Sequence, residues 1–116
     1  GKLTPEEFDQ IARHPVEGYD YLKAHANLGT DILAAVRGHH EYLDGSGYPD
    51  GLMSSQINDL TRIVTICDIY GALSERRAYK PAMPSSEALT ILEGMSAAGK
   101  IEAALVRALR EAVEAA

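Results

Sequence analysis

The sequence predicts an all-α fold, a helical bundle, on three observations. Thr4-Pro5 followed by Glu7 is a helix-start signature, apolar residues recur at three- and four-residue spacing along much of the chain, and no stretch carries a convincing strand pattern. The 116 residues are 46% hydrophobic and 24% charged, which is enough for a packed core and leads us to expect one domain. No run of about 18 apolar residues exists to insert in a membrane, and the start lacks the basic and apolar segments of a secretory signal. The formal net charge of −6 argues against coating a nucleic-acid polymer, yet leaves open a small anionic ligand met by metal ions or a local basic cluster. The single cysteine, Cys67, has no partner for an intramolecular disulfide, fits a reducing, cytoplasmic setting, and reads as a small buried hydrophobe.

The elements follow in order. At Thr4 the capping box, with proline at the first helical position where its missing N–H costs nothing, opens a helix carrying Phe8, Ile11 and Ala12. His14-Pro15 is expected to interrupt or restart it, because proline disfavours the α conformation in the residue before it, so residues 16–24 form a second segment. Asn27, Gly29 and Thr30 mark a turn; Ile32, Leu33 and Val36 carry the next helix toward His39-His40-Glu41. Three glycines, one proline and two aspartates within residues 44–51 cannot continue a helix, so residues 44–56 are expected to be an irregular, ordered loop. From 59 to about 76, apolar residues occupy most faces of a helix, the pattern of a central and nearly enclosed element. A proline-containing connection, 77–85, precedes two amphipathic segments, 87–97 and 101–115, separated at Gly99.

Several side chains invite chemistry. Placed on a helix, adjacent His39 and His40 point about 100° apart, which suits two neighbouring metal ions, or one ion plus an outer contact; the alternative is a pair of surface or capping histidines. His25, near a helix end, reads as a surface residue compatible with the helix dipole. Asp68 sits among apolar and small helical neighbours, so a buried carboxylate there needs a metal, a helix N-terminus, or an ion pair with a residue such as Arg62. With His14, His39 and His40 available, metal ligation is the favoured reading. Gly45 and Gly47 fit backbone angles closed to other residues, or simply a tight turn, and Tyr48 offers a flat face and a hydroxyl to a guanine or phosphate. Arg76, Arg77 and Lys80 form the densest basic patch of an acidic chain, with solvated charges after a helix as the alternative.

The run His39-His40-Glu41-Tyr42-Leu43-Asp44-Gly45-Ser46-Gly47-Tyr48-Pro49 resembles the HHExxDGxGYP signature of the HD-GYP family of cyclic di-GMP phosphodiesterases. The resemblance extends from Leu3-Thr4 through Glu6-Glu7-Phe8, His14-Pro15, Gly18, Gly51-Leu52, Arg62-Ile63-Val64, Asp68 and Ala72-Leu73 to Arg77, Tyr79 and Lys80. It implies an all-helical, HD-superfamily hydrolase in which two or three buried divalent ions, iron or manganese, activate a hydroxide toward a phosphodiester phosphorus. By position, His14, His39, His40 and Asp68 match metal ligands; Tyr48, Arg77 and Lys80 match groups that hold the dinucleotide. Glu41 and Asp44 either brace the ligand histidines or cap the helix and loop, with Gly45, Gly47 and Pro49 completing the motif. The loop is also implied as a surface for diguanylate cyclase domains, so a non-catalytic signalling module is the alternative function, and another HD-superfamily nucleotide hydrolase a third.

Two departures bear on this expectation. The sequence has no His-Asp dipeptide, so residues 1–116 read as the C-terminal part of the domain, with the eponymous dyad and its companion ligands expected upstream of Gly1. The four ligands present cannot fill two or three coordination spheres, which predicts weak or no turnover for the isolated chain and an uncovered apolar face favouring a homodimer. Gly71 and Ala78 stand where the family usually has Asp and Pro, which bears on the shape of the substrate pocket.

Overall fold

The computed structural model describes residues 4–75 and 81–116. Among the described residues are five helices and no strand: α1 (Pro5–His25), α2 (Thr30–Gly38), α3 (Asp59–Ser74), α4 (Ser85–Ala97) and α5 (Ala103–Ala115). The expected all-α class holds, and no described helix is long and apolar enough to cross a membrane. The chain divides into two compact units, Gly1–Thr61 and Arg62–Ala116, with the division inside α3.

In the first unit, α1 begins as the sequence predicts. Thr4 Oγ1 accepts the Glu7 amide at 3.1 Å and Glu7 Oε1 accepts the Thr4 amide at 3.0 Å, which also holds the Glu7 carboxyl below its ordinary range. The break expected at His14-Pro15 does not occur: α1 runs unbroken for 21 residues. A mid-helix proline removes one hydrogen bond and costs about 3 kcal/mol. Here the ring is buried, and Glu6, Glu7, Lys23 and His25 complement the helix dipole at the two ends, so the helix outlasts its local defect. Gly18 lets α2 come close, since a Cβ there would meet Val36 Cγ1 at 3.5 Å. Past α2, the loop contains a single antiparallel bridge between Asp44 and Met53 and a short 3-10 turn, Ser54–Gln56, in keeping with the irregular conformation expected. Asn58 Oδ1 accepts the Thr61 amide at 2.7 Å, the bond of an N-cap for α3.

The second unit is organised by α4 and α5. Ala88, Leu89 and Leu92 of α4 are buried together with Ile101 and Val106, and each large aliphatic side chain so covered contributes about 1.5–3 kcal/mol. Gly99 takes φ +81° in the turn between the helices, the left-handed backbone that ends a helix. The two segments start at Ser85 and Ala103 rather than at 87 and 101. Arg110 forks Glu93 across the pair with bonds of 2.8 and 2.9 Å.

The enclosure expected for α3 is not found. Thr61, Thr65 and Ile66 are buried, whereas Leu60, Ile63, Cys67 and Asp68 are exposed, and the helix ends at Ser74. Cys67 is therefore not a buried hydrophobe: it lines an open apolar groove of about 270 Å³ with Ile63, Ile66, Leu105, Ala108 and Leu109. An apolar run on a helix reports which residues would tolerate cover, and here the described residues leave Leu60, Ile63 and Cys67 exposed.

Candidate functional site

The signature residues gather at the end of α2. Gly38 closes the helix and is buried; a Cβ on it would meet Thr61 Cγ2 at 3.2 Å. His39 is the C-cap, so His39 and His40 lie on a turn rather than on the helix expected from sequence, and they do not splay apart. Their ring centroids are 4.2 Å apart, with the planes tilted by 44°. His39 Nδ1 sits 2.9 Å from the Val36 carbonyl and 3.1 Å from that of Ala35. Donation to these acceptors fixes the tautomer and leaves the Nε2 lone pair available to a ligand.

His40 stacks on Tyr48, with centroids 5.1 Å apart and planes within 15°, and Tyr48 meets Phe8 of α1 edge-on at 5.3 Å and 74°. The loop folds back because Glu41, 2% exposed, accepts the Asp50 amide at 2.7 Å and the Leu52 amide at 2.8 Å. Of the two roles expected for Glu41, bracing the ligand histidines or capping the helix and loop, these bonds are of the capping kind. Asp44 does the same locally, accepting the amide and hydroxyl of Ser46 at 3.0 and 2.6 Å in an Asx turn. The Tyr48 amide donates to the His40 carbonyl at 3.2 Å, and the Tyr48-Pro49 peptide is cis.

The two motif glycines are needed for different reasons. Gly45 has φ +83°, as the sequence suggests, and a side chain there would also strike Met53 Sδ. Gly47 has no left-handed backbone: its requirement is close approach, because a Cβ would collide with the backbone of His40, Glu41 and Tyr42. Sequence reasoning also missed Arg37, whose guanidinium forks Asp50 with bonds of 2.8 and 2.9 Å and lies over the Tyr19 ring at 5.4 Å. Those bonds hold the Asp50 carboxyl below its usual range and raise Arg37 above its own. The run Arg37 to Asp50 carries opposite charges at its ends, the one signal that pointed to the pair.

Of the ligands matched by position, the first unit brings His39 and His40 together with Tyr48. His14 is exposed on α1 and, among the described residues, closes no ligand group with the pair. In the second unit Asp68 is exposed on α3, not buried, so the need for a compensating partner falls away as an argument. Arg62 pairs with Glu102 at 3.1 Å. His25 is the surface residue expected, its Nδ1 2.9 Å from the Tyr21 carbonyl and its ring stacked on Tyr21 at 4.3 Å. Arg77 and Lys80, together with Arg76 and Ala78, lie outside the described residues. The donor chemistry of the histidine pair fits a divalent ion: two imidazoles side by side, one with its Nδ1 committed to backbone carbonyls.

The chain is thus helical, with a Gly-Tyr-Pro loop folded onto paired histidines. The family model of the HD domain matches residues 1–105, and the chain belongs to that family. Among curated proteins it is 44% identical over 94 residues to the cyclic di-GMP phosphodiesterase response regulator RpfG of Xanthomonas campestris, covering 79% of this chain and 25% of that protein. It is 42% identical over 94 residues to the 3'3'-cGAMP-specific phosphodiesterase 3 of Vibrio cholerae, covering 80% of this chain and 20% of that protein. The chain thus spans a quarter or less of the length of these two relatives. Among solved structures it is similar to Bd1817, an HDG"Y"P protein from Bdellovibrio bacteriovorus, with a TM-score of 0.77 at 20% identity, covering 97% of this chain and 35% of that one, a likeness of fold.

Proposed function

We propose that this chain is part of a metal-dependent phosphodiesterase that hydrolyses cyclic di-GMP, and that residues 1–116 are a portion of its HD-GYP domain. The observation that carries this reading is the anchored histidine pair: His39, with Nδ1 bonded to the Val36 carbonyl, lies against His40, and the folded signature loop stacks Tyr48 on His40. The relatives' activities on cyclic dinucleotides support the substrate class.

In this reading His14, His39, His40 and Asp68 hold the metal, with iron or manganese suited to imidazole and carboxylate donors. Bound there, divalent ions supply Lewis acidity that acidifies water and offsets charge on the phosphate oxygens. His39 keeps Nε2 presented because its other nitrogen is spent on backbone carbonyls. Glu41 contributes by fixing the loop at two amides, so that Tyr48 stays against His40 without drawing on substrate-binding energy. Arg77 and Lys80 bind the dinucleotide phosphates, Arg as a two-pronged donor and Lys as a point charge. Addition of water across one P–O ester bond opens the ring to the linear dinucleotide. The test is made on the full-length protein: metal content, and turnover of cyclic di-GMP beside 3',3'-cGAMP, for wild type and His40→Ala. The variant is expected to lose at least about tenfold to a hundredfold in turnover together with bound metal; unchanged turnover removes the ligand assignment, and preference for the mixed dinucleotide reassigns the substrate.

A further inference from the structure

We propose that Phe8 is a positioning residue for His40, acting through the ring of Tyr48. The inference rests on the metal-site reading above for its consequence, and on this structure alone for its geometry. Four aromatic rings stand in series: Phe8 edge-on to Tyr48 at 5.3 Å, Tyr48 near-parallel to His40 at 5.1 Å, and His40 against His39 at 4.2 Å.

The two ends of this series are held differently. His39 is fixed by its Nδ1 contacts with the Ala35 and Val36 carbonyls. Phe8 is fixed by its backbone: it is in the first turn of α1, next to the reciprocal Thr4–Glu7 cap, and its amide donates to the Thr4 carbonyl at 2.9 Å. Between these two fixed ends lie His40 and Tyr48, whose side chains extend from a turn and a loop. Rotation of the Tyr48 ring would take a stacking face from the His40 imidazole, and an imidazole ligand must hold its plane to present a lone pair. The edge of one aromatic ring against another is a directional contact, so Phe8 limits that rotation in a way an aliphatic side chain of similar size does not.

Phe8 is also 45% exposed, although it is the chain's only phenylalanine. A residue placed to fill a core would be covered, whereas this one stays half-exposed and sets its ring against the ring that stacks on His40. Because one face of Tyr48 is taken by His40, the structure assigns Tyr48 to the orientation of that histidine as well as to any contact with a nucleotide.

The test uses the full chain with 13Cε1-labelled histidine, comparing wild type, Phe8→Leu, Phe8→Trp and the control Ile11→Ala, another half-exposed apolar residue of α1. In metal-free protein, ring-current displacement of the His40 signal reports its stacking; Phe8→Leu is expected to move it toward the position of a free imidazole while the His25 signal stays, and Phe8→Trp to restore it. Manganese titration is expected to weaken about tenfold in Phe8→Leu, and kcat to fall with KM nearly unchanged. A His40 signal and manganese affinity unaltered in Phe8→Leu, or altered equally in Ile11→Ala, would overturn the proposal. Absence of dinucleotide turnover in wild type defeats the functional reading instead, and leaves the signal of His40 to decide the role of Phe8.

Discussion

Two regions of this molecule are held by opposite means. The loop that follows His40 is held by polar atoms: a buried carboxylate, Glu41, collects the amides of Asp50 and Leu52, and Arg37 forks Asp50 from α2. The α4–α5 pair is held by carbon, with Leu89, Leu92 and Val106 all within 1% of full burial. Hydrogen bonds fix direction and register over a few residues, while apolar burial supplies most of the stabilisation and tolerates small displacements. A loop that sets the placement of a few side chains needs the first property, and a scaffold the second.

Three substitutions would break or sharpen the contrast, the largest effect first. Leu92→Ala removes a fully buried side chain and is expected to destabilise the second unit by about 2–5 kcal/mol, read from denaturant unfolding. If the contrast is right, the His39 and His40 ring signals stay where they are. Glu41→Gln keeps the shape but turns an NH2 toward amides that need acceptors, at a cost of about 1–3 kcal/mol. Amide exchange at Asp50 and Leu52 is expected to accelerate, and the stack of Tyr48 on His40 to loosen, with α4 and α5 unaffected; uniform loss across the chain would show the two regions to be one cooperative block.

Arg37→Met is the mildest change, about 0.5–1 kcal/mol for a partly exposed pair. Its signature is in pH. The folded Asp50 carboxyl is depressed below its unfolded value, so its contribution is complete above the ordinary carboxylate range and disappears as pH falls through the lower folded value. Wild type should therefore lose its margin over Arg37→Met on acidification below about pH 4, whereas at neutral pH the margin is full. A margin that is constant with pH would mean that the guanidinium acts by packing on Tyr19 and not through Asp50.

Local signals in the sequence carried the features that depend on local physics. The Thr4–Glu7 cap, the left-handed Gly45 and Gly99, and the irregular loop each follow from a few adjacent residues. What failed needed distant information. Continuity of α1 through Pro15 depends on burial of the ring, which no neighbour in sequence announces. Asp68 and Cys67 were read as enclosed because their helical neighbours are apolar, yet composition does not state how much protein is there to cover a face. Of the two reasons the sequence offers for Gly47, the special backbone angle does not apply and the tight turn does, since crowding by residues seven to five positions earlier looks the same in sequence as a strained angle. At the site, the histidine pair and Tyr48 were legible from the motif, whereas Phe8, forty residues before Tyr48, could be connected to it only in three dimensions.

The unbroken passage of α1 through Pro15 has a mechanical consequence. One rung of the amide ladder is absent there, so the leading stretch that bears Phe8 is coupled less stiffly to the trailing stretch that faces Val36 than a proline-free helix would allow. Displacement of the trailing stretch is therefore passed on to Phe8 only in part, and the end of the aromatic series that the Thr4–Glu7 cap holds is insulated from it.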